Sequence, residues 1–266
     1  MEVTRIPLCH PESSVGDYPL PLKDLLSVFD ADARRQKAFD KTVTRLISRN
    51  QQHEERMACI EQLAMMDTPE ANRALFRRWD MMADKKREDV AEKEYLLSVL
   101  VDKGTAILPF LREHNDRSTN VTWPTQVLRR IVDSDAVIEE LLRVLKAEQE
   151  RLAAFKPEKK TRLLQLLSDY DDPRVTPAVI LSLDDFDETV RWEAAQTLSK
   201  VGDDRARDAL VDRLASPDED SARVRSALVA ALYEGKWSVL DRKDVVTPHL
   251  GSDYRIGPRG NLIHID

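Results

Sequence analysis

Glycine is scarce in this chain, and its distribution bears on the fold class. Tight hairpin turns depend on glycine, yet the 266 residues hold only seven glycines, and four of these follow residue 234. The composition is otherwise 42% apolar and 33% charged. We therefore expect an all-α body with little β-structure before residue 234.

Long apolar runs and a cysteine framework are also missing. No apolar segment reaches the roughly 18 residues that suggest a membrane span, and the start MEVTRIPLCHPESS lacks a basic stretch followed by an apolar run. Two cysteines, Cys9 and Cys59, give no pattern typical of a secreted protein. These absences predict a cytoplasmic protein that does not bind membranes.

Motifs for catalysis and metal binding are incomplete. His53 is followed by two glutamates, as in a zinc-protease helix, but position 57 is Met where the second histidine is needed. The acidic run from Asp218 resembles a calcium loop, but Arg223 and Val229 stand where Gly and Glu are required. With no glycine-rich phosphate loop either, we predict no catalytic residue, metal or cofactor.

The charge of −7 is placed unevenly. Residues 134–266 hold 20 basic and 26 acidic side chains, whereas residues 1–133 hold 21 and 22. Binding to nucleic acid needs a basic stripe, and the densest basic stretch, residues 73–93, is interrupted by acids. The charge therefore predicts no nucleic-acid partner and favours a protein partner with a basic surface.

What the chain does contain is a repeated helix pair between residues 169 and 233. Apolar positions of the first helix recur 31 residues later, and those of the second helix recur 34 residues later, at helical spacing. The matched positions are Val175/Ala206, Ala178/Ala209, Val179/Leu210 and Leu183/Leu214, then Val190/Val224, Arg191/Arg225, Ala194/Leu228 and Leu198/Leu232. A short period of this kind predicts a solenoid, in which each unit packs only on its neighbours.

The strings DDFDETVRWEAAQTLSKVGDDRARDALVDRL and DEDSARVRSALVAAL, within residues 171–234, resemble HEAT repeats, specifically the short units of phycobilisome lyases. The resemblance implies a right-handed α-solenoid with the second helix of each pair on its concave side. It also implies that Arg191 and Arg225 pair with acidic turn residues of neighbouring units, such as Asp187 or Asp203.

Upstream, the helical pattern continues less regularly. We predict helices near residues 36–49, 54–66, 70–84, 88–102, 105–114, 124–133, 135–155 and 157–170, with Thr68 and Pro69 starting the third. The total is about five or six HEAT-like pairs. The predicted organisation is an irregular segment at 1–35, one solenoid domain at 36–237 and a non-helical tail at 238–266.

The candidate binding residues lie on the second helices, away from the predicted core positions. They are Thr161, Gln165, Trp192, Gln196 and Tyr233. Aromatic and adaptable polar side chains are typical of protein interfaces. The alternative is that Trp192 only packs on the adjacent unit. Trp123, which precedes a proline at a helix start, is interpreted as a structural plug.

The C-terminal string YRIGPRGNLIHID predicts a short hairpin, with strands at residues 254–256 and 262–265. An isolated hairpin is marginal in water, so it must dock. It either caps the last helix pair, as the apolar end of a solenoid requires, or adds as an edge strand to a partner.

Two functions follow from these observations. The first is a non-enzymatic adaptor or scaffold whose concave surface binds another protein. The alternative, from the resemblance, is an enzyme or assembly factor like the bilin lyases, which holds a small molecule or client protein in the groove. Fold alone does not decide between them.

Overall fold

The computed structural model describes residues 22–151 and 156–265, which form thirteen helices and one two-stranded sheet. The helices are α1 (Leu22–Leu46), α2 (His53–Met66), α3 (Pro69–Phe76), α4 (Lys86–Asp102), α5 (Leu108–Arg117), α6 (Thr122–Ile131), α7 (Ser134–Glu150), α8 (Pro157–Leu167), α9 (Val175–Ile180), α10 (Glu188–Val201), α11 (Ala206–Ala215), α12 (Ala222–Glu234) and α13 (Lys243–Val246). The strands are β1 (Tyr254–Ile256) and β2 (Leu262–His264). The first 21 residues, with Cys9, and residues 152–155 of the predicted helix 135–155 lie outside the described residues.

Two layers of helices make up the body. Helices α3, α5, α7, α9 and α11 contact one another in succession and form the first-helix layer. In the second-helix layer α4 contacts α2 and α6, and α10 contacts both α8 and α12. This is the two-layer stack of an α-solenoid, so the predicted fold class is confirmed. The right-handed superhelix stays a prediction.

Local signals explain where the helices begin and end. Thr68 Oγ1 accepts a hydrogen bond from the amide of Ala71, and Pro69 occupies the first turn of α3. Asp187 caps α10 in the same way, and Ser221 caps α12. Gly202 ends α10 with φ of 70°, a left-handed conformation that favours glycine. These caps fix turns both within a helix pair and between neighbouring pairs.

The repeat register predicted from the sequence is confirmed by burial. The apolar paired positions of the second helices lie in one continuous core, and those of the first helices do too, apart from two half-buried alanines. Leu198 of α10 and its counterpart Leu232 of α12 both have 0% exposure. Burial of one such side chain contributes about 1.5–3 kcal/mol to stability.

Two predicted boundaries were wrong. The first helix begins at Leu22 rather than near residue 36, so residues 22–35 are helical and not irregular. No proline or glycine follows Pro21 in this stretch, so nothing interrupts the helix. The tail after residue 237 contains α13 and two flanking 3-10 turns, so it is not wholly non-helical.

The arginines of the repeat bind different partners from those predicted. Arg191 forms two hydrogen bonds of 2.8 and 3.0 Å to the buried carboxylate of Glu219, in the turn of the next unit, and not to Asp187 or Asp203. Arg225 donates to the backbone oxygen of Glu219. The difference arises because Asp187 is occupied as a helix cap. The interaction of Arg191 is still between neighbouring units, as expected, whereas that of Arg225 lies within its own unit.

The C-terminal tail takes the place of one more helix pair. Helix α13 contacts α11, and β2 contacts α12. The predicted hairpin is antiparallel, with Arg255 opposite Ile263. Its Tyr254 ring lies 5.4 Å from the ring of Tyr233, and Leu262 is buried in the core. The hairpin therefore covers the end of the stack, as the capping interpretation requires.

Deletion of residues 250–266 is expected to lower the free energy of unfolding by about 3 kcal/mol or more. The deletion removes the burial of Leu250 and Leu262, each worth about 1.5–3 kcal/mol. Thermal unfolding followed by circular dichroism measures the loss. Arg255→Ala, at an exposed strand position, is the control and should leave the midpoint unchanged. An unchanged midpoint in the truncated protein would exclude the capping role.

Candidate protein-binding face

We use the name second-helix face for the outward sides of α8, α10 and α12. These three helices pack side by side in one layer, and their core positions point toward the first helices. The outward positions include Gln165 and Gln196, which are exposed, and Trp192, which is half-buried. A rigid helical platform therefore presents these three predicted binding residues.

Trp192 combines packing with exposure. Its ring packs against the core, and the guanidinium carbon of Arg223 on α12 lies 4.2 Å from the ring centroid. A cation–π contact of this kind contributes about 0.5–1 kcal/mol at an exposed site. The ring therefore joins α10 to α12, as the packing interpretation expects, and a role of Trp192 in binding stays a prediction.

Glu193 is a buried carboxylate beside Trp192. Gln165 Nε2 donates to Glu193 Oε2 at 2.9 Å, and Arg162 Nη1 donates to Gln165 Oε1 at 3.2 Å. Burial raises the pKa of Glu193, while Gln165, Arg162 and Arg223 lower it, and the net shift is upward. Residues from all three helices thus meet around this carboxylate. Glu193 was not predicted, because an acid next to a core alanine resembles an ordinary helix-surface residue.

Two of the predicted residues are engaged elsewhere. The hydroxyl of Thr161 donates to the backbone oxygen of Pro157 at 2.8 Å, within its own helix. Tyr233 lies against the hairpin, with the His264 ring 6.5 Å and the Tyr254 ring 5.4 Å away. The structure therefore groups Gln165 with Trp192 and leaves Tyr233 under the C-terminal cap.

A second aromatic and amide pair occurs on α6. Trp123 and Gln126 line a cavity of about 480 Å³ between α4 and α6, together with Leu97, Val101 and Arg130. Trp123 stacks on Trp79 with ring centroids 6.3 Å apart, which supports its predicted structural role. The pair is separated by one helical turn, like Trp192 and Gln196. That spacing is the sequence signal that could have identified it.

The acids of the repeat turns are mostly occupied within the chain. Asp172 accepts from Arg174 at 2.8 Å, and Lys160 donates to Asp185 at 2.6 Å. Hydrogen bonds from Arg205 lower the pKa of Asp203 to about 2. The excess of acid in residues 134–266 therefore serves helix starts and contacts between units more than a surface for a partner.

The described residues contain neither a cluster of metal ligands nor a helix that could cross a membrane. Within residues 22–151 and 156–265, no group of three or more His, Cys, Asp or Glu side chains is arranged to hold a metal ion. Among the helices described there, none combines the length and the apolar character that crossing a membrane requires.

Residues 138–232 match the family model for HEAT repeats. No curated protein matches the chain. Among solved structures, human deoxyhypusine hydroxylase in complex with glycerol aligns at 14% identity over 77% of this chain and 98% of that chain, with a TM-score of 0.30. The likeness to the phycobilisome-lyase type stays a prediction. The stacked helix pairs within residues 138–232 are therefore similar to HEAT repeats, as the sequence predicted for the second half of the chain.

Proposed function

We propose that this protein is a non-enzymatic scaffold that binds another protein through the second-helix face. The observation that carries the proposal is the half-buried Trp192, which lies between exposed amide side chains at the centre of three packed helices. Tryptophan and arginine contribute a large share of the energy of protein interfaces. Trp192 and Arg223 supply both residue types in direct contact.

The rigidity of the face also favours binding. Trp192 is held by core packing on one side and by Arg223 on the other, and Gln165 is fixed by Glu193. Side chains that are already ordered lose less conformational entropy when a partner binds. HEAT repeats are expected to act as interaction scaffolds, and this proposal assigns that role to one face. A cytoplasmic location stays a prediction from the sequence.

The proposal is tested by native mass spectrometry of the protein purified gently from its own host, and by the variant Trp192→Ala. We expect a stoichiometric second polypeptide in the wild-type sample. Loss of the indole should weaken its binding at least about tenfold, since central tryptophans in interfaces commonly contribute about 2 kcal/mol or more. Far-UV circular dichroism should show unchanged helix content.

Met65→Ala is the matched control, because Met65 is 83% exposed at the end of α2, outside the second-helix face. It should retain the partner. Wild-type affinity in Trp192→Ala would assign Trp192 to packing alone. A bound small molecule with no second polypeptide would favour the alternative of a bilin-lyase-like protein.

A further inference from the structure

Two arginines at the centre of the second-helix face have no carboxylate partner. Within the described residues, Arg162 donates to the amide oxygen of Gln165 and Arg223 lies over the ring of Trp192, and neither forms an ion pair with a carboxylate. The arginines of the turns and of the core differ, since Arg174, Arg191 and Arg205 each bind a carboxylate. The centre of the face therefore presents two exposed positive charges.

The two arginines converge from opposite sides of α10. Arg162 lies on α8 and Arg223 on α12, and the charges of both act on the carboxyl group of Glu193 between them. Arg223 is also held over the ring of Trp192. A partner that reaches Trp192 therefore meets the guanidinium group of Arg223, and that of Arg162 lies on the neighbouring helix α8.

Glu193 does not neutralise these arginines by direct pairing. Its side chain is buried, one oxygen accepts from Gln165, and it forms no ion pair with Arg162 or Arg223. The guanidinium groups remain on the solvent side, where they can form short, charge-assisted hydrogen bonds with an incoming carboxylate.

We propose that the second-helix face binds an acidic segment of the partner protein, with carboxylates placed on Arg162 and Arg223 and an apolar side chain on Trp192. This inference rests on the proposed function. It replaces the prediction of a partner with a basic surface. That prediction was based on the excess of acidic residues in the second half of the chain, and several of these acids are paired with basic side chains of the same chain. Two arginines on neighbouring helices do not make the extended basic stripe that the phosphate backbone of a nucleic acid requires.

The geometry also sets the length of the segment. Packed helices lie about 8–10 Å apart, so the path from α8 across α10 to α12 covers about 16–20 Å. An extended chain advances about 3.3 Å per residue, which gives a segment of about five or six residues. The acids should therefore stand near its two ends, with the apolar residue between them.

The test is selection from a phage-displayed library of random 12-residue peptides on the full-length protein. We expect an acidic consensus with a central apolar residue. A fluorescein-labelled consensus peptide should then bind Arg162→Gln and Arg223→Gln about fivefold more weakly than wild type, measured by fluorescence anisotropy. Glu193→Gln should bind it about threefold more tightly, since it removes a negative charge on which both arginines act.

The opposite sign of the Glu193→Gln effect separates a charge contact from general structural damage. Arg87→Gln, at an exposed position of α4, is the control and should match wild type. A basic or uncharged consensus, or no enrichment, would overturn the acidic segment and leave Trp192→Ala as the independent test of partner binding. Sedimentation that showed a dimer dissociated by Arg223→Gln would assign the face to a second copy of this chain instead.

Discussion

Replacing Glu92 by glutamine is expected to lower the free energy of unfolding by about 3–5 kcal/mol. Glu92 lies on α4 with 0% exposure, and its carboxylate binds two arginines from neighbouring segments. When one partner of a buried ion pair is removed, the remaining charge is left uncompensated in a medium of low dielectric, and losses of this size result. Total stabilities are about 5–15 kcal/mol, so the variant should be close to unfolding.

The geometry around Glu92 explains the large effect. Arg56 of α2 donates to both carboxylate oxygens at 2.8 Å, and Arg78 donates to Oε2 at 2.7 Å. His53 Nδ1 lies 2.8 Å from Oε1. Arg78 also donates to Asp89 and keeps that carboxylate partner in the variant. Arg56 has its carboxylate hydrogen bonds with Glu92 and loses them. The substitution therefore breaks the contact between α2 and α4.

The effect should depend on pH in a defined direction. Burial raises the pKa of Glu92, but hydrogen bonds from Arg56, His53 and Arg78 more than offset it, so the pKa lies below its usual value. The stabilisation is then fully present above the pKa of an unfolded glutamate, about 4.3, and is lost as the pH falls through the lower folded pKa. Wild type and Glu92→Gln should converge in acid.

Urea unfolding at pH 7 and at decreasing pH measures this difference. Glu94→Gln, at an exposed position two residues along the same helix, is the control and should remain within about 0.5 kcal/mol of wild type. A Glu92→Gln protein as stable as wild type at pH 7 would show that the ion pairs are not a source of stability between these units.

The sequence predicted the repeat body well because burial there depends on apolar periodicity alone. Val190, Ala194 and Leu198 face the core at the spacing that any amphipathic helix requires. The loop between Leu214 and Val224, three residues longer than its counterpart, left the register intact. The prediction was wrong at α1, since a polar stretch such as residues 30–37 does not end a helix when it lacks proline and glycine.

The burial of charged side chains could not be predicted from the sequence. Glu92, Glu193 and Glu219 are chemically like any surface glutamate. The burial of Glu92 and Glu219 depends on arginines as far as 36 and 28 residues away, and that of Glu193 on packing against the next helix. Helical periodicity reports only which face is apolar. For the same reason, helical periodicity did not show that Tyr233 is covered. Its coverage depends on the C-terminal hairpin, which packs against it.

Replacing Leu198 by aspartate is expected to unfold the C-terminal repeats. Leu198 has 0% exposure in α10, the helix that contacts both α8 and α12. The change removes about 2 kcal/mol of stabilisation by apolar burial. Burying an unpaired carboxylate at this position lowers the free energy of unfolding by several kcal/mol more. Gln196→Asp introduces the same charge on the exposed side of α10 and should cost about 0.5 kcal/mol or less.

Because a solenoid is stabilised mainly by contacts between neighbouring units, the damage from Leu198→Asp should spread unevenly. Amides of α8 to α12 should exchange with solvent much faster than in wild type. Amides of α2 to α4 should retain their protection, because the buried ion pairs of Glu92 with Arg56 and Arg78 lie within that part of the stack. Hydrogen exchange followed by mass spectrometry resolves the two regions. Uniform loss of protection would show that the solenoid unfolds as one unit, whereas unchanged exchange in α10 would refute the repeat register.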